Sequence, residues 1–411
     1  MSAGYTILFT LQLIILCIFG SFTIYLALLS FLALISRQKR ILESSHLRQI
    51  AVIVPAHNEE MTIEKTIRSI YSVNYPRTHY DVIVIADNCT DQTAEICRTA
   101  GATVLERTDP TQRGKGYALR WCIDIILWKE PRYNAFIVID ADSTISQNFL
   151  SIMNYYLEKG SKAIQSSDMV EPKPGVWSSE TIRLGFTLYN YVRPLGRSVL
   201  NLSAGIRGNG MCFARETLES IPWDSYSLNE DLEYGLNLLL KGINVDFAPE
   251  AEVLATMPVH ASNAETQRAR WETGRFPIIK NYAFKLLINS IRQFSFRLFD
   301  AFIDLIIPPL VMLIGILLSI SSINLLLFLF GVESAAQLLI ICMIFLGAGI
   351  SHIIVGLYAA KADKSLYKVF YYIPKYALWK IALYFKILQD DSKKDWIRTT
   401  REKVTPTSEN R

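Results

Sequence analysis

Between Ile7 and Ile35 the chain carries no charged residue, and an apolar run of that length has few ways to fold. It exceeds the roughly 20 residues a helix needs to cross a bilayer, and it falls short of two crossings. A single spanning helix is the economical solution. A cleavable secretory leader would start basic and carry a shorter apolar core, whereas the first arginine here, Arg37, lies beyond the run. The segment is therefore expected to stay attached. Composition agrees: of 411 residues, 51% are hydrophobic and 19% charged, which is too apolar for a purely soluble chain. Lys plus Arg is 42 and Asp plus Glu 38, an excess too small to argue for nucleic acid as a partner. Six cysteines without a CxxC pair disfavour a disulfide framework or zinc site and suit a reducing compartment.

Two further apolar runs, Leu305–Phe330 and Ala335–Ala360, flank the short turn Gly331-Val332-Glu333-Ser334 and read as a helical hairpin across the bilayer, with Pro308 and Pro309 at its entrance. Basic residues follow the first span (Arg37, Lys39, Arg40, Arg48) and the third (Lys361, Lys364, Lys368 and the tail), while the hairpin tip has none. The positive-inside rule then puts the N-terminus outside and the central region and C-terminus in the cytoplasm. The stretches Phe276–Asp300 and Leu366–Leu388 interleave Lys and Arg with Phe, Tyr, Trp and Leu. Such stretches fit basic amphipathic helices lying in the membrane interface, or helices packed on the soluble domain. The expected division is a span and basic linker over 1–48, a cytoplasmic domain over 49–275, an interfacial helix over 276–300, a hairpin over 301–362 and an interfacial helix with a basic tail over 363–411.

Within the cytoplasmic region, short buried strands (Ile50–Val54, Asp81–Ile85, Ala135–Ile139) alternate with helical segments (Met61–Val73, Asp91–Ala100). That pattern predicts an α/β domain with a mostly parallel sheet covered on both faces. Ligands of such sheets bind beyond the carboxyl ends of the strands. The polar clusters fall there: Pro55-Ala56-His57-Asn58-Glu59-Glu60, Asp87-Asn88-Cys89-Thr90-Asp91 and Asp140-Ala141-Asp142.

Two carboxylates one residue apart, as in Asp140 and Asp142, can hold a hard cation such as Mg²⁺ or Mn²⁺ that neutralises a diphosphate. An isolated DxD is more often a solvated turn with a capping Asp. Its company changes the weight. Arg113-Gly114-Lys115-Gly116 adds cations on a flexible backbone suited to phosphate. Asn229-Glu230-Asp231 opens a helix, where the first turn favours an ionised carboxylate fit to act as a base, although simple capping uses the same residues. In Gln267-Arg268-Ala269-Arg270-Trp271, helical spacing puts Gln267, Arg270 and Trp271 on one face, as an amide, a guanidinium for phosphate and an indole for a sugar ring, or as a membrane anchor.

The ordered set PAHNEE, ADNCTD, RGKGYAL, DAD, GNGMCF, NEDLEYG and QRARW, with flanking apolar helices, resembles the membrane-integrated family-2 glycosyltransferases, the group that includes synthases of cellulose, hyaluronan, chitin and poly-N-acetylglucosamine. The resemblance implies a nucleotide-sugar-binding α/β domain of the GT-A type and inverting transfer of a sugar, UDP-linked, to a hydroxyl of a glycan acceptor at the membrane, in polysaccharide biosynthesis at the plasma (inner) membrane. Carried residue by residue, it implies nucleoside contacts from Pro55, Asn58, Glu59 and Asp87, metal and diphosphate on Asp140 and Asp142, and a base in Asp231. Lys115 lies near the nucleotide, Gly208, Asn209, Gly210 and Glu230 on the acceptor side, and Gln267, Arg270 and Trp271 over the diphosphate and acceptor. His57 is expected as a structural neighbour of the nucleoside. Two departures stand out. Ala86-Asp87 replaces the paired aspartates common among relatives, and three spans are fewer than chain-secreting synthases usually have. The small membrane part favours a lipid-linked acceptor, a dimeric channel or a short product. The alternatives are a glycolipid-forming transferase and a catalytically silent subunit of an export complex. A transporter is disfavoured by the absence of charges at mid-span.

Overall fold

The computed structural model describes residues 3–36, 44, 46–172, 176–257, 261–372, 375–376, 379–380 and 383. The first span is helix α1 (Ala3–Ile35). Then follow β1 (Ile50–Ala56), α2 (Ile63–Tyr71), β2 (Tyr80–Asp87), α3 (Thr93–Thr99), β3 (Thr103–Arg107), α4 (Lys115–Lys129), β4 (Ala135–Val138), β5 (Ser143–Ile145), α5 (Phe149–Glu158) and β6 (Ala163–Val170). The chain continues through α6 (Trp177–Phe186), a π-helical stretch (Thr187–Val192), α7 (Arg193–Val199), β7 (Met211–Ala214), α8 (Arg215–Ser220), α9 (Glu230–Leu240) and β8 (Val245–Ala255). It closes with α10 (Ala261–Arg292), α11 (Phe296–Ile306), α12 (Leu310–Leu329) and α13 (Ala335–Ala359).

β1 and β2 are almost wholly buried β-branched runs, as a central strand covered on both faces requires. In α2 the buried positions are Ile63, Thr66, Ile67 and Ile70, one stripe at helical spacing. The strand order is β3-β2-β1-β4-β7-β6-β8-β5. The expected parallel sheet holds from β3 through β4 and again between β6 and β8, whereas β7 runs antiparallel to both its neighbours and β5 antiparallel to β8. Parallel register aligns the carboxyl ends: Ala56 pairs Ala86, and Ile53 pairs Val138. The antiparallel pairing of Val138 with Met211 then brings the loop before β7 to the same edge.

Three helices, Thr6–Ile35, Leu310–Leu329 and Ala335–Ala359, are long and apolar enough to cross a membrane. The hairpin's first helix starts at Leu310, later than expected, because α11 ends at Ile306 and the two prolines separate them. The stretch 276–300, expected as one helix, is divided between two. Its first part continues α10 without a break through Pro277, and its last part opens α11 after a turn at Phe294. Packing outweighs the proline here, since Ile278, Tyr282 and Leu286 of α10 share a buried cluster with Leu236, Leu239, Leu298 and Leu305. Phe284, Ile291, Phe294 and Phe296 remain exposed. Arg37, Lys39 and Arg40 and most of 363–411 lie outside the described residues. α7 presses onto α1 at Gly196, where a Cβ would sit 2.2 Å from the Leu29 carbonyl oxygen. The α/β domain is thus seated directly on the first apolar helix.

Candidate active site

The carboxyl edge of the sheet opens into a cavity of about 630 Å³, within the range of ligand sites. Pro55, Glu59, Asp87, Lys115, Asp140, Asp142, Gly208, Asn209, Glu230, Asp231, Arg270 and Trp271 all line it. Residues from seven separate stretches of chain therefore meet. Two expected residues, Asn58 and Gly210, are not among the described residues that line it. Asn58, in the left-handed region at φ 57°, uses its amide to accept from the Thr90 N–H at 2.7 Å and to donate to the Thr90 hydroxyl at 3.2 Å, tying the first two strand-end loops together. Gly210 is taken up by the sheet edge, donating to the Val138 carbonyl at 3.0 Å. The side chain of Gln267 lies outside the described residues.

At the β2 end of the cavity, Asp87 is buried and paired with Arg107, Nη1 to Oδ1 at 2.7 Å, and His57 Nδ1 donates to the Asp87 carbonyl at 2.7 Å. His57 thereby ties the end of β1 to the end of β2. In the middle, Asn209 is the hub. Its Oδ1 accepts the Asp140 N–H at 3.0 Å, and its Nδ2 donates to the Ser143 hydroxyl at 2.9 Å and to Asp168 at 3.3 Å. This locks the GNG loop to the DAD turn. Asn229 donates to the Trp271 carbonyl at 3.2 Å, and Trp271 packs against Phe186 at 5.8 Å between ring centroids. The start of α9 and the RW pair are thereby fixed to one another.

Lys115 sits among the carboxylates, 2.5 Å from Asp140 Oδ1, and donates to the Gly208 carbonyl. Burial works against its charge, but Asp140, Glu230 and Asp231 outweigh burial and hold the ammonium above its ordinary value. Burial also raises Asp140, against the pull of Lys115, and raises Asp231, against its own helix amides and Lys115. Glu230 is pushed up to about 7 by burial and by the charge of Asp231. Gly208 has φ +89°, and a Cβ there would lie 2.7 Å from Asp231 Oδ2. Gly208→Ala should therefore displace the carboxylate and lower turnover by roughly a hundredfold, with nucleotide binding still measurable by calorimetry; unaltered turnover would deny that this contact positions Asp231.

Sequence patterns did not expose Asp168, which burial and the charge of Asp140 raise far above the ordinary range. It sits mid-strand in β6, where no motif marks it. Arg107, Arg193, Arg207 and Arg275 were missed for the same reason. Among the described residues no three His, Cys, Asp or Glu side chains cluster as a self-sufficient metal site. Asp140 and Asp142 on one turn do fit a Mg²⁺-like ion, which typically takes one or two carboxylates and completes its shell with substrate phosphates and water.

A mixed α/β sheet with carboxylates, a lysine and an arginine converging at its carboxyl edge is the arrangement of a GT-A-like glycosyltransferase. The glycosyltransferase-like family 2 pattern matches residues 48–274, and the chain belongs to that family. It is 24% identical over 267 residues to a probable glycosyltransferase, YdaM, of Bacillus subtilis, covering 62% of each chain. It is 22% identical over 279 residues to poly-β-1,6-N-acetyl-D-glucosamine synthase of Staphylococcus aureus, covering 65% of this chain and 64% of that one. The chain thus spans a little under two thirds of the length of these relatives. In fold it is similar to a mannosyltransferase of Pyrobaculum calidifontis solved with GDP-Man and Mn²⁺, at a TM-score of 0.50 and 16% identity, over 81% of this chain and 98% of that one.

Proposed function

We propose that this glycosyltransferase moves a sugar from a nucleotide donor, UDP-linked, to a hydroxyl of a glycan or lipid-linked acceptor at the membrane surface, with inversion, in polysaccharide biosynthesis. The observation that carries this reading is the position of Asp231. It opens a helix, lines the cavity that holds the DAD turn, and is crossed by the Gly208 backbone. Asp231 accepts the proton of the acceptor hydroxyl as that oxygen attacks the anomeric carbon. Lys115 and Arg270 face the donor's diphosphate and stabilise the charge it takes as it leaves, so no second acid has to protonate it. Glycoside hydrolases, by contrast, require a carboxyl pair flanking the bond. Asp140 and Asp142 would hold Mg²⁺ or Mn²⁺, which supplies Lewis-acid neutralisation of the diphosphate; the solved mannosyltransferase binds Mn²⁺. Asn209 keeps the DAD turn rigid, and Trp271 and Phe186 form the wall against which a sugar ring can stack.

Asp142→Ala should abolish the metal-dependent part of nucleoside diphosphate binding. Titration with and without Mn²⁺ reads this directly, and equal affinity in both would remove the metal role. The pH dependence has a definite sign. Burial raises the Asp231 carboxyl, which must be ionised before it can accept a proton, so turnover should fall as pH drops through that raised range. Glu230→Gln removes a negative neighbour of Asp231 and should move that limb to lower pH, which a rate profile would register.

The exposed Phe284, Phe294 and Phe296 suit the headgroup layer, with the catalytic domain on the cytoplasmic side of the plasma membrane and the N-terminus outside. A second reading keeps the chemistry and makes one glycolipid per turnover. Product size separates the two, since a ladder marks chain synthesis and a single lipid marks this alternative.

A further inference from the structure

The cavity continues past the acidic residues. Its far wall carries Arg193, Arg207 and Arg275, followed by Ile307, Leu310, Val311, Ile314 and Ile353, the last four from the membrane helices α12 and α13. The Arg193 and Arg207 side chains are only 7% and 4% exposed. Both guanidinium groups lie over Tyr189, at 5.0 and 4.1 Å. Their carboxylate, Asp304, is already committed: Arg197 Nη1 donates to it at 3.0 Å, while Arg193 and Arg207 approach no closer than 3.7 and 3.6 Å. Arg197 also takes Asp300, Nε to Oδ2 at 2.7 Å. Arg275 Nη2 donates instead to the Asp304, Leu305 and Ile307 carbonyls. Three guanidinium groups thus share two carboxylates, and Nε of both Arg193 and Arg207 makes no hydrogen bond among the described residues. Burial, only partly offset by Asp304, holds Arg193 below the ordinary arginine value.

A buried surplus of cationic donors is costly unless an anion joins it, and guanidinium forks match phosphate oxygens best. The adjoining aliphatic wall says which phosphate. A nucleotide has nothing to place against Leu310, Ile314 and Ile353, and a sugar polymer would need hydroxyl or ring-stacking partners there. A hydrocarbon chain fits. Arg207 also precedes Gly208, whose backbone crosses Asp231, so a sugar joined to this phosphate reaches the base.

We propose that the Arg193, Arg207 and Arg275 pocket binds the phosphate or diphosphate of a lipid carrier bearing the acceptor sugar, with its hydrocarbon chain leaving past Leu310, Ile314 and Ile353. This rests on the transfer reading above and names the acceptor for it. The acceptor hydroxyl oxygen forms a bond to the donor's anomeric carbon, and the bond from that carbon to the diphosphate oxygen breaks. The electron pair leaves with the nucleoside diphosphate, the proton passes to Asp231, and the carrier's own phosphate is unchanged.

The test titrates the full-length protein in nanodiscs with farnesyl diphosphate, farnesol and inorganic diphosphate, with EDTA present so that the DAD turn is metal-free. Farnesyl diphosphate should bind at least about tenfold more tightly than either part alone, and Arg207→Gln should lose about tenfold, the loss expected for one charge-assisted contact. Arg193→Lys, which keeps the charge, repeats the comparison if Arg207→Gln fails to fold. Inorganic diphosphate binding as tightly as the lipid would mean a free-phosphate site and overturn the proposal, as would equal affinity for farnesol, or binding indifferent to both variants. Wild-type protein that releases no nucleoside diphosphate from any sugar nucleotide would instead contradict the transfer reading, and the titration result would stand independently.

Discussion

Asp231→Asn should lower sugar transfer by about 10²–10⁴, the usual worth of a positioned general base, and leave nucleoside diphosphate affinity close to that of the native protein. The exchange keeps size and shape, so neither the Gly208 contact nor the start of α9 is disturbed. It removes only the capacity to take a proton. Burial matters here because a carboxyl raised above its usual range is a stronger base than a solvated one, and the cavity supplies that shift from its own walls. Release of nucleoside diphosphate, followed with native and substituted protein at saturating donor, reads the effect. Full turnover by the substituted enzyme would remove Asp231 from the chemistry. Loss of donor binding together with turnover would make its role one of donor binding.

Arg197→Met should be the most destabilising single change in the junction between catalytic domain and membrane helices. The guanidinium is 2% exposed and its partner Asp300 1% exposed, and Tyr25 of α1 donates to that same carboxylate at 2.7 Å. One network therefore ties α1, α7 and α11. Asp304 is held below its ordinary range because Arg197, Arg207, Arg193 and Arg275 outweigh the opposing effect of burial. Removing Arg197 leaves Asp300 buried without a cation, a change worth about 3–5 kcal/mol, and the unfolding midpoint in detergent should drop on the order of 10 °C. Arg68→Ala, which breaks an exposed pair with Glu64, should stay within about 0.5 kcal/mol of the native protein. Equal losses from the two would show that the buried network is not what holds the junction.

The parts of this molecule that are local in sequence were the legible ones. The uncharged run before Ile35, the β-branched strands at Ile50 and Asp81, and the DAD turn each state their structure within one continuous segment. The expected acidic residues of the cavity could be found because each ends or follows a strand or opens a helix, unlike Asp168 within β6. What stayed hidden depends on distant pairing. The antiparallel β7 reads like any buried strand, and only its register with Val138 shows why Gly208 and Asn209 belong beside Asp140. Asn58, expected at the nucleoside by motif position, uses its amide to tie its loop to the one holding Thr90, a pairing that no local pattern announces. The arginines of the lipid-facing wall lie in α7, in the GNG loop and in α10, where nothing in their spacing marks them as neighbours. Pro277, which by sequence should end a helix, stands inside α10 because Ile278, Tyr282 and Leu286 are packed on both sides of α11 and α9.

The proposed mechanism, with Asp231 as base and a diphosphate as leaving group, is a direct displacement, and the stereochemistry of the first-formed product reports on it most directly. With an α-linked sugar nucleotide as donor, proton NMR of the product should show a β-glycosidic bond. An α-linked product would contradict the inverting displacement and with it the assignment of Asp231 as the base.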